Sequence, residues 1–568
     1  MGKLVDLKSK PYYLNSDDID WVERTIEEMS IDEKIGQLFF QLFIDIDEKN
    51  VKELLRKIPL GGARYLNKSS REIQKFTGYL QKHSKIPMFV ACNCDNGGDG
   101  CCSDGTYIAS GAHCEAANSD EVSFNAGYVA GREATAIGCN WNFDPCSDIL
   151  FNWRNTIINT RAYGKDKDVV IRHIKKYVEG MRISNMITCI KHFPGDGTEE
   201  RDQHLVLGVN ELSVDDWENS YGDVYRAMID HGIHTMMAGH IALPEYQKKI
   251  NPDLKYEDIM PATLSPELIN DLLKTKLNFN GLVITDASHM MGMFGAMPRK
   301  DQLPKAIAAG CDMFLYLNDV EEDFQFMKDG YENGVITDER LNDALRRILG
   351  LKAWLGLHKI AREKLTNPDI KNLEVVGCKE HHEMAEEAAD LGISLIKDTQ
   401  NNLPLNPITH PKIQLYYLTQ EEIGLMGKAS TKPLDLLVSE LEKVGFKVTV
   451  NKRGERQKPS IAQYKKDVDI ALVVSDIRGY AVENNYRIRW SCAMANEIPW
   501  YVHEVPTIFV SLNYTTHLTD VTMVKTFINA YSNTEHVIKA LVQKLIGNSE
   551  FKGIFNDNVW CKKWEAKR

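Results

Sequence analysis

The sequence lacks any long apolar segment. None of its 568 residues falls in a run of about 18 apolar side chains, the length that a membrane-spanning helix requires. The N-terminal stretch MGKLVDLKSKPYYLN also contains no apolar run long enough for a signal peptide. We therefore predict no membrane partner, and a cytoplasmic location is the expectation.

An excess of positive charge is also missing. The chain has 68 Lys and Arg against 80 Asp and Glu, and its formal net charge is −12. Nucleic-acid binding depends on clustered basic side chains that neutralise phosphates. The composition therefore argues against a nucleic-acid partner and favours a neutral substrate or a locally arranged pocket.

Paired cysteine motifs are absent, although cysteine itself is not. Five of the twelve cysteines lie close together, at Cys92, Cys94, Cys101, Cys102 and Cys114. No Cys-x-x-Cys step is followed by a matching second pair, as zinc sites commonly show. We expect reduced, mostly buried thiols and no bound metal.

Eight short apolar runs alternate with helical patterns up to about residue 360. Most runs are apolar throughout, which is typical of parallel strands buried on both faces. The runs cover residues 35–43, 61–66, 87–93, 139–145, 187–195, 233–241, 281–287 and 311–317. The alternation predicts an α/β fold that begins with a TIM-type (β/α)8 barrel.

A charged segment containing Pro368 follows, and alternation then resumes. Five further apolar runs cover residues 412–418, 446–450, 469–476, 507–513 and 525–531. They predict a smaller α/β sandwich domain. We expect a barrel domain over residues 15–360, a linker over 361–380 and a C-terminal α/β domain over 381–568.

The seventh run ends in an acidic residue. Catalytic groups of TIM barrels lie at the carboxyl ends of the strands. Asp286 directly follows Val283, Ile284 and Thr285, so we expect it where the strand meets the pocket. A carboxylate there can attack an anomeric carbon. A helix N-cap explains the same position equally well.

The fifth run continues into a segment rich in turn-forming residues. Pro194-Gly195 and Asp196-Gly197 predict a loop, which runs on to Asp202 and His204. A carboxylate two residues from an imidazole can approach it, orient it and favour its protonated form. This pair suits a general acid, although composition alone also fits a solvated surface loop.

The string KHFPGDGTEERDQH resembles the signature of glycoside hydrolase family 3, in its β-N-acetylhexosaminidase (β-N-acetylglucosaminidase) branch. The matching positions are Lys191, His192, Pro194, Gly195, Asp196, Gly197, Asp202 and His204. The sequence departs from the pattern at Gln203, where Ser or Thr is usual. Gln203 is not expected to take part in proton transfer.

Other segments resemble the same family, and together they cover nearly the whole chain. GLVITDASHM resembles the nucleophile strand, and INTRAYGKD resembles the segment whose arginine, Arg161, binds the sugar. NWNFDPCSDI resembles the fourth-strand segment, usually Phe-Ala-Pro-x-x-Asp, and LIKDTQNNLPL resembles the entry to the second domain. At the third strand, Asp95 stands where the family has Glu, one methylene longer.

The resemblance implies double displacement with net retention. Asp286 would attack the anomeric carbon while His204, oriented by Asp202, protonates the departing oxygen; water would then enter with His204 as base. The residues implied or considered as sugar-binding are Asp95, Arg161, Lys191, His192 and His240, of which His240 is equally well explained as a packed histidine. The implied substrate is a carbohydrate, and neither a metal nor an organic cofactor is required.

Several alternatives stay open. An imidazole repels an incoming anion less than a carboxylate does, so phosphate could replace water and make the protein a phosphorylase. β-Glucosidases and β-xylosidases of the family usually take their acid from a later part of the chain. Two hypotheses lie outside this class. One is a metal-dependent barrel hydrolase that uses His192, His204, His240 and Asp286 as ligands, and the other is an inactive sugar-binding protein. The oligomeric state and the choice between GlcNAc and GalNAc are not determined by the sequence.

Overall fold

The computed structural model describes residues 3–420, 430–455, 460–478, 486–495, 497–498 and 501–568. The chain divides into two compact units. The first holds the chain up to Tyr107 together with Ser123–Ile149 and Asp166–His381, and the second holds Ile108–Val122, Leu150–Lys165 and His382–Arg568. The domain bounds at 15–360, 361–380 and 381–568 stay a prediction.

A closed barrel of eight parallel strands forms the first unit, which confirms the predicted fold class. The strands of this unit are β1 (Phe39–Phe43), β2 (Gly62–Tyr65), β3 (Phe89–Cys92), β4 (Trp141–Asn142), β5 (Ile187–Phe193), β6 (Gly208–Val209), β7 (Thr235–Ala238), β8 (Ile241–Ala242), β9 (Leu282–Ala287) and β10 (Met313–Leu315). The barrel order is β1-β10-β9-β7-β5-β4-β3-β2, and β6 and β8 pair separately with each other.

Helices follow most of the strands. In the described part of the chain they are α1 (Ser16–Glu28), α2 (Ile31–Gln37), α3 (Glu48–Lys57), α4 (Ser70–His83), α5 (Gly111–Ala117), α6 (Asp120–Ala136), α7 (Lys167–Arg182), α8 (Val214–Glu218), α9 (Tyr221–Asp230), α10 (Pro244–Ile250), α11 (Met291–Phe294), α12 (Arg299–Ala309), α13 (Val320–Glu332), α14 (Asp338–Trp354), α15 (Arg362–Thr366), α16 (Lys379–Gly392), α17 (Lys432–Lys443), α18 (Ile461–Asp467) and α19 (Glu535–Leu545). A π-helical segment covers Glu267–Lys276. Among the described residues, no helix has the length and apolar character needed to cross a membrane.

The barrel interior is packed with aromatic rings. Trp141 on β4 meets Phe40 on β1 and Phe89 on β3 edge-to-face, with ring centroids 5.5 and 5.0 Å apart. Such contacts add to the large apolar area that each ring buries. All seven residues of β5 are buried, which explains why the barrel runs read as almost continuously apolar.

One predicted strand is shorter than its apolar run. Helix α2 begins at a capping box, in which Ser30 Oγ accepts from the Glu33 N–H at 3.3 Å and the Glu33 carboxylate accepts from the Ser30 N–H at 2.9 Å. The run over residues 35–43 therefore divides, because α2 extends to Gln37 and β1 starts only at Phe39.

The second unit contains a six-stranded sheet. Its strands are β11 (Ser394–Asp398), β12 (Lys412–Thr419), β13 (Lys447–Val450), β14 (Ile470–Asp476), β15 (Thr507–Ser511) and β16 (Thr526–Asn529), in the order β11-β16-β15-β14-β12-β13. Strand β11 is antiparallel to β16, and the other neighbours are parallel. The five apolar runs found in the sequence correspond to β12–β16, and β11 is an additional strand at one edge.

Candidate active site

The carboxyl end of β5 carries two buried side chains, Lys191 and His192. Lys191 forms an ion pair with Asp144, which follows β4, and its Nζ lies 3.9 Å from Asp95 Oδ1 after β3. Strands β3, β4 and β5 are neighbours in the barrel, so their ends meet at one edge. Lys191 and Asp95, both predicted site residues, are thus brought together.

His192 is held by Asp148 at one ring nitrogen and faces Asp286 with the other. Its Nδ1 lies 2.8 Å from Asp148 Oδ2, and its Nε2 lies 4.0 Å from Asp286 Oδ2. Asp148 also accepts backbone N–H groups from His192 at 3.1 Å and from Asp196 at 2.7 Å. Burial by itself raises the pKa of Asp148, but the His192 charge and these bonds outweigh it and lower the pKa. An ionised Asp148 therefore fixes the orientation of His192.

Asp286 lies one residue before the end of β9. Its Oδ1 accepts from the Ala287 N–H at 2.7 Å, and only 12 % of its side chain is exposed. Burial by itself raises the pKa of Asp286, but nearby imidazoles, His192 foremost, and the Ala287 N–H hold the pKa below its usual value. The carboxylate is therefore ionised at neutral pH, as a nucleophile must be.

The loop after β5 brings an aspartate and a histidine into contact. Asp202 Oδ1 lies 2.7 Å from His204 Nδ1 and also accepts the His204 backbone N–H at 2.9 Å. Asp202 is buried, whereas 30 % of the His204 side chain is exposed. Because Nδ1 is taken by the carboxylate, Nε2 is the ring nitrogen through which His204 can exchange a proton with a ligand.

This loop is fixed to the segments that follow β9 and β7. The Met291 N–H donates to His204 O at 3.0 Å, and the Gly292 N–H donates to Gln203 O at 3.2 Å. The Gln203 side chain accepts the His240 N–H at 2.8 Å. Gln203, where the sequence departs from the family pattern, thus attaches the loop to His240 after β7.

His240 has a protein partner at each ring nitrogen. Its Nδ1 lies 2.9 Å from Thr263 Oγ1 and its Nε2 lies 2.9 Å from Ala287 O. Burial lowers the pKa of His240, which favours the neutral ring. These contacts place it beside the end of β9, next to Asp286, and its contact with sugar stays a prediction.

A family model for the Glycosyl hydrolase family 3 N terminal domain matches residues 30–351, more than half of the chain. The chain belongs to glycosyl hydrolase family 3. Membership in this glycosidase family implies a carbohydrate substrate, and the matched region contains every barrel strand and each of the site residues described above.

Similar proteins extend the likeness over both units. A β-N-acetylglucosaminidase/β-glucosidase from Cellulomonas fimi is 36 % identical over 567 residues, which are 99 % of this chain and 100 % of the relative. A solved β-glucoside phosphorylase, BglX, bound to 2FGlc, is 38 % identical with a TM-score of 0.92 over 96 % of this chain and 98 % of its own. A family 3 β-N-acetylglucosaminidase from Paenibacillus sp. str. FPU-7 has a TM-score of 0.79 at 22 % identity, over 93 % of this chain and 98 % of its own, and shows the shared fold.

One predicted family 3 site residue lies in the other unit. Arg161 belongs to the segment Leu150–Lys165 of the second unit, where its backbone N–H donates to Ile158 O at 3.1 Å. Its sugar contact stays a prediction.

Two site residues of this family 3 chain were not singled out from the sequence. Asp144 pairs with Lys191, and Asp148 orients His192. Both follow β4, and the rule that located Asp286 at the end of a strand also applies to them. Asp148 is in addition the last residue of the quoted Phe-x-Pro-x-x-Asp pattern.

The donor atoms proposed for a metal-dependent hydrolase do not gather in one place. Of the residues that the structure describes, close groups of three possible ligands are formed by Cys146, Asp148 and His192, and by Cys378, Glu380 and His381. His204, His240 and Asp286 belong to neither group. The geometry therefore gives the metal-dependent alternative no support.

Proposed function

We propose that the protein is a retaining β-glycosidase that releases terminal β-linked N-acetylhexosamine, with N-acetylglucosamine as the favoured sugar. The hydrogen bond between Asp202 and the partly exposed His204 ring, beside the ionised Asp286, carries this proposal. This arrangement supplies an oriented proton donor close enough to the proposed nucleophile to act on it electrostatically. The full-length likeness to the Cellulomonas fimi β-N-acetylglucosaminidase/β-glucosidase supports the choice of sugar.

The first step forms a covalent bond to Asp286. Its carboxylate oxygen attacks the anomeric carbon while the bond from that carbon to the glycosidic oxygen breaks. The proton on His204 Nε2 passes to the departing oxygen, and Asp202 stabilises the proton left on Nδ1 and the ring orientation. A glycosyl ester of Asp286 and a neutral aglycone are the products.

The second step releases the sugar. Water attacks the anomeric carbon from the opposite face, the ester bond to Asp286 breaks, and His204 takes the proton of the water. Two inversions at the same carbon leave the β configuration. Lys191, His192 and Asp95 have the donor and acceptor groups needed to hold the sugar hydroxyls through both steps.

Phosphorolysis is the second candidate, and a specific feature favours it. The base in the second step is an imidazole, which lacks the negative charge that repels an anionic acceptor. A 38 % identical solved protein is a β-glucoside phosphorylase. If phosphate replaces water, the product is a sugar 1-phosphate and His204 need not take a proton.

The first experiment is an assay on the 4-nitrophenyl N-acetyl-β-D-glucosaminide and the matching β-D-glucoside, with and without phosphate. We expect faster release from the N-acetylated substrate and, without phosphate, free β-N-acetylglucosamine by NMR. Phosphate-dependent formation of a sugar 1-phosphate would identify the reaction as phosphorolysis. A strong preference for the plain glucoside would contradict the proposed sugar.

One variant tests the role of Asp286 as the nucleophile. Asp286→Gly is expected to be inactive alone and, with azide added, to yield an α-glycosyl azide, because azide occupies the space of the carboxylate. Asp253→Asn, which changes an exposed carboxylate, is the matched control and should keep wild-type rates. A β-azide product, or full activity of Asp286→Gly without azide, would contradict the role of Asp286.

A further inference from the structure

Three different metal-binding side chains meet at the end of β5. Cys146 Sγ lies 3.2 Å from Asp148 Oδ2, and His192 Nδ1 lies 2.8 Å from the same oxygen. All three donor atoms lie within 4.8 Å of one another. The relative exposures of Cys146, Asp148 and His192 are 1 %, 0 % and 5 %, so this thiol–carboxylate–imidazole cluster is enclosed by protein.

The cluster is held together by the backbone on both sides. Cys146 forms a parallel bridge with Lys191, and the Ser147 N–H donates to Lys191 O at 2.7 Å. The other oxygen of Asp148 accepts the N–H groups of His192 and Asp196. Oδ2 is therefore the oxygen that is turned toward the thiol and the imidazole.

The donor set and its spacing fit a tetrahedral cation. Bonds of about 2.3 Å to sulfur and about 2.0 Å to nitrogen and oxygen place tetrahedral donors roughly 3.3–3.5 Å apart, so the two contacts need to widen by only a few tenths of an ångström. A thiolate and a carboxylate balance two positive charges, and binding releases the protons that now lie between the donors. Sulfur and imidazole favour Zn²⁺ or Co²⁺ over Mg²⁺.

We propose that Cys146, Asp148 and His192 form a binding site for a borderline divalent cation such as Zn²⁺, and that its occupation inhibits turnover. The cation replaces the hydrogen bond from His192 to Asp148 and shifts the imidazole, whose Nε2 is 4.0 Å from Asp286. Small displacements of substrate-positioning groups reduce rates strongly. The inhibition rests on the proposed function, whereas cation binding does not.

Binding is tested without turnover, by titrating the full-length protein with Co²⁺ and recording the thiolate-to-cobalt charge-transfer absorption. We expect the band in the wild type and in C378S, which removes the thiol of the second described cluster, and its loss in C146S. C189S changes a different buried thiol, which lies on β5, and should keep the band. No band in the wild type, or a band lost in C378S and kept in C146S, would overturn the site.

Inhibition is tested on the same variants with the 4-nitrophenyl substrate. Zn²⁺ should inhibit the wild type and C189S, EDTA should reverse the inhibition, and C146S should require at least about 10–100-fold more Zn²⁺. Mg²⁺ should have no effect on any of them. Equal sensitivity of C146S and wild type would overturn the inhibitory role. If the substrate is not turned over but the Co²⁺ band appears and depends on Cys146, the proposed function fails and the site stands.

Discussion

The two ends of the barrel both bury charged side chains, but they arrange them differently. At the amino end, Asp312 meets Lys274 at 3.1 Å and also pairs with Arg340, while Asp343 meets Arg340 at 2.6 Å and Arg347 at 3.0 Å. At the carboxyl end, Asp286 forms no such close ion pair with the residues that the structure describes, and His192 Nε2 lies 4.0 Å from its Oδ2. Buried charge and close pairs occur at both ends, as between Asp144 and Lys191 at the carboxyl end. The difference lies in Asp286, whose carboxylate is buried without such a close ion pair among the described residues.

The amino-end cluster also binds the backbone where strands begin. The Val283 N–H donates to Asp312 at 2.8 Å, and Arg347 donates to Gly281 O at 2.6 Å. The charges of this cluster thus hold the start of β9 and the preceding residue Gly281 in place. At the other end of β9, imidazoles act on Asp286 through their field and leave its carboxylate able to form a new bond. Mutations at the two ends should therefore separate activity from stability.

The largest expected effect is on activity, at the carboxyl end. Asp286→Asn removes the proposed nucleophile and should lower kcat/KM by about 10⁴-fold or more, because the amide cannot form the glycosyl ester. The thermal unfolding midpoint should stay the same or rise, since active sites are commonly strained. A variant that loses stability as well as activity would break the proposed contrast between the ends.

The next effect is on stability, at the amino end. Asp312→Ala leaves Lys274 and Arg340 buried without this partner and should reduce the free energy of unfolding by about 3–5 kcal/mol. The folded fraction at low temperature should keep the wild-type KM, and Asp253→Ala serves as the exposed control. A change in substrate preference would show that the amino-end cluster acts on the pocket.

A smaller loss of activity is expected for Asp202→Asn. The amide cannot stabilise the protonated imidazole of His204, so kcat on 4-nitrophenyl glycosides should fall by about 10²–10³-fold. With a 2,4-dinitrophenyl leaving group, which departs without a proton, the loss should be much smaller. Equal losses on both substrates would argue for a purely structural role of Asp202.

The smallest effect concerns Lys352, a buried amine near the amino end that donates to Gln37 Oε1 at 2.7 Å. Burial lowers its pKa to about 7. Between about pH 7 and 10 the unfolded chain therefore binds one proton more than the folded chain at this residue. Lys352 thus makes the free energy of unfolding rise with pH through that window. Below pH 7 the full free-energy cost of burying the charged amine is present. Lys352→Met should raise stability at pH 6 by about 1–3 kcal/mol and flatten the rise, as followed by thermal unfolding at pH 6 and 9.

Lys274→Met is the matched control for that change. Burial also lowers the pKa of Lys274 to about 7, but this lysine is 3.1 Å from Asp312. Its removal takes away a partner of a buried carboxylate, so the variant should lose stability where Lys352→Met gains it. The same sign for both variants would show that pairing does not decide the outcome.

Much of the barrel could be predicted from the sequence, because its strands are buried on both faces. The eight apolar runs correspond to the eight barrel strands, and the position of Asp286 near the end of β9 follows directly from its run. The bounds were less predictable, as in the run over 35–43, where the capping box at Ser30 extends a helix into apolar residues. Local hydrogen bonds decide where such a helix or strand begins and ends, and the apolar character of the residues does not indicate those hydrogen bonds.

The sequence by itself placed Asp202 and His204 within reach of each other, because they are two residues apart on one loop, and the structure shows the contact. Only the tertiary structure decided that Asp148 meets His192, 44 residues further along, and that Cys146 joins them. These contacts arise because β4 and β5 lie side by side in parallel and bring the segments after them to one edge. The spacing of these residues along the chain does not predict the contacts, because the connection between the two strands can have any length.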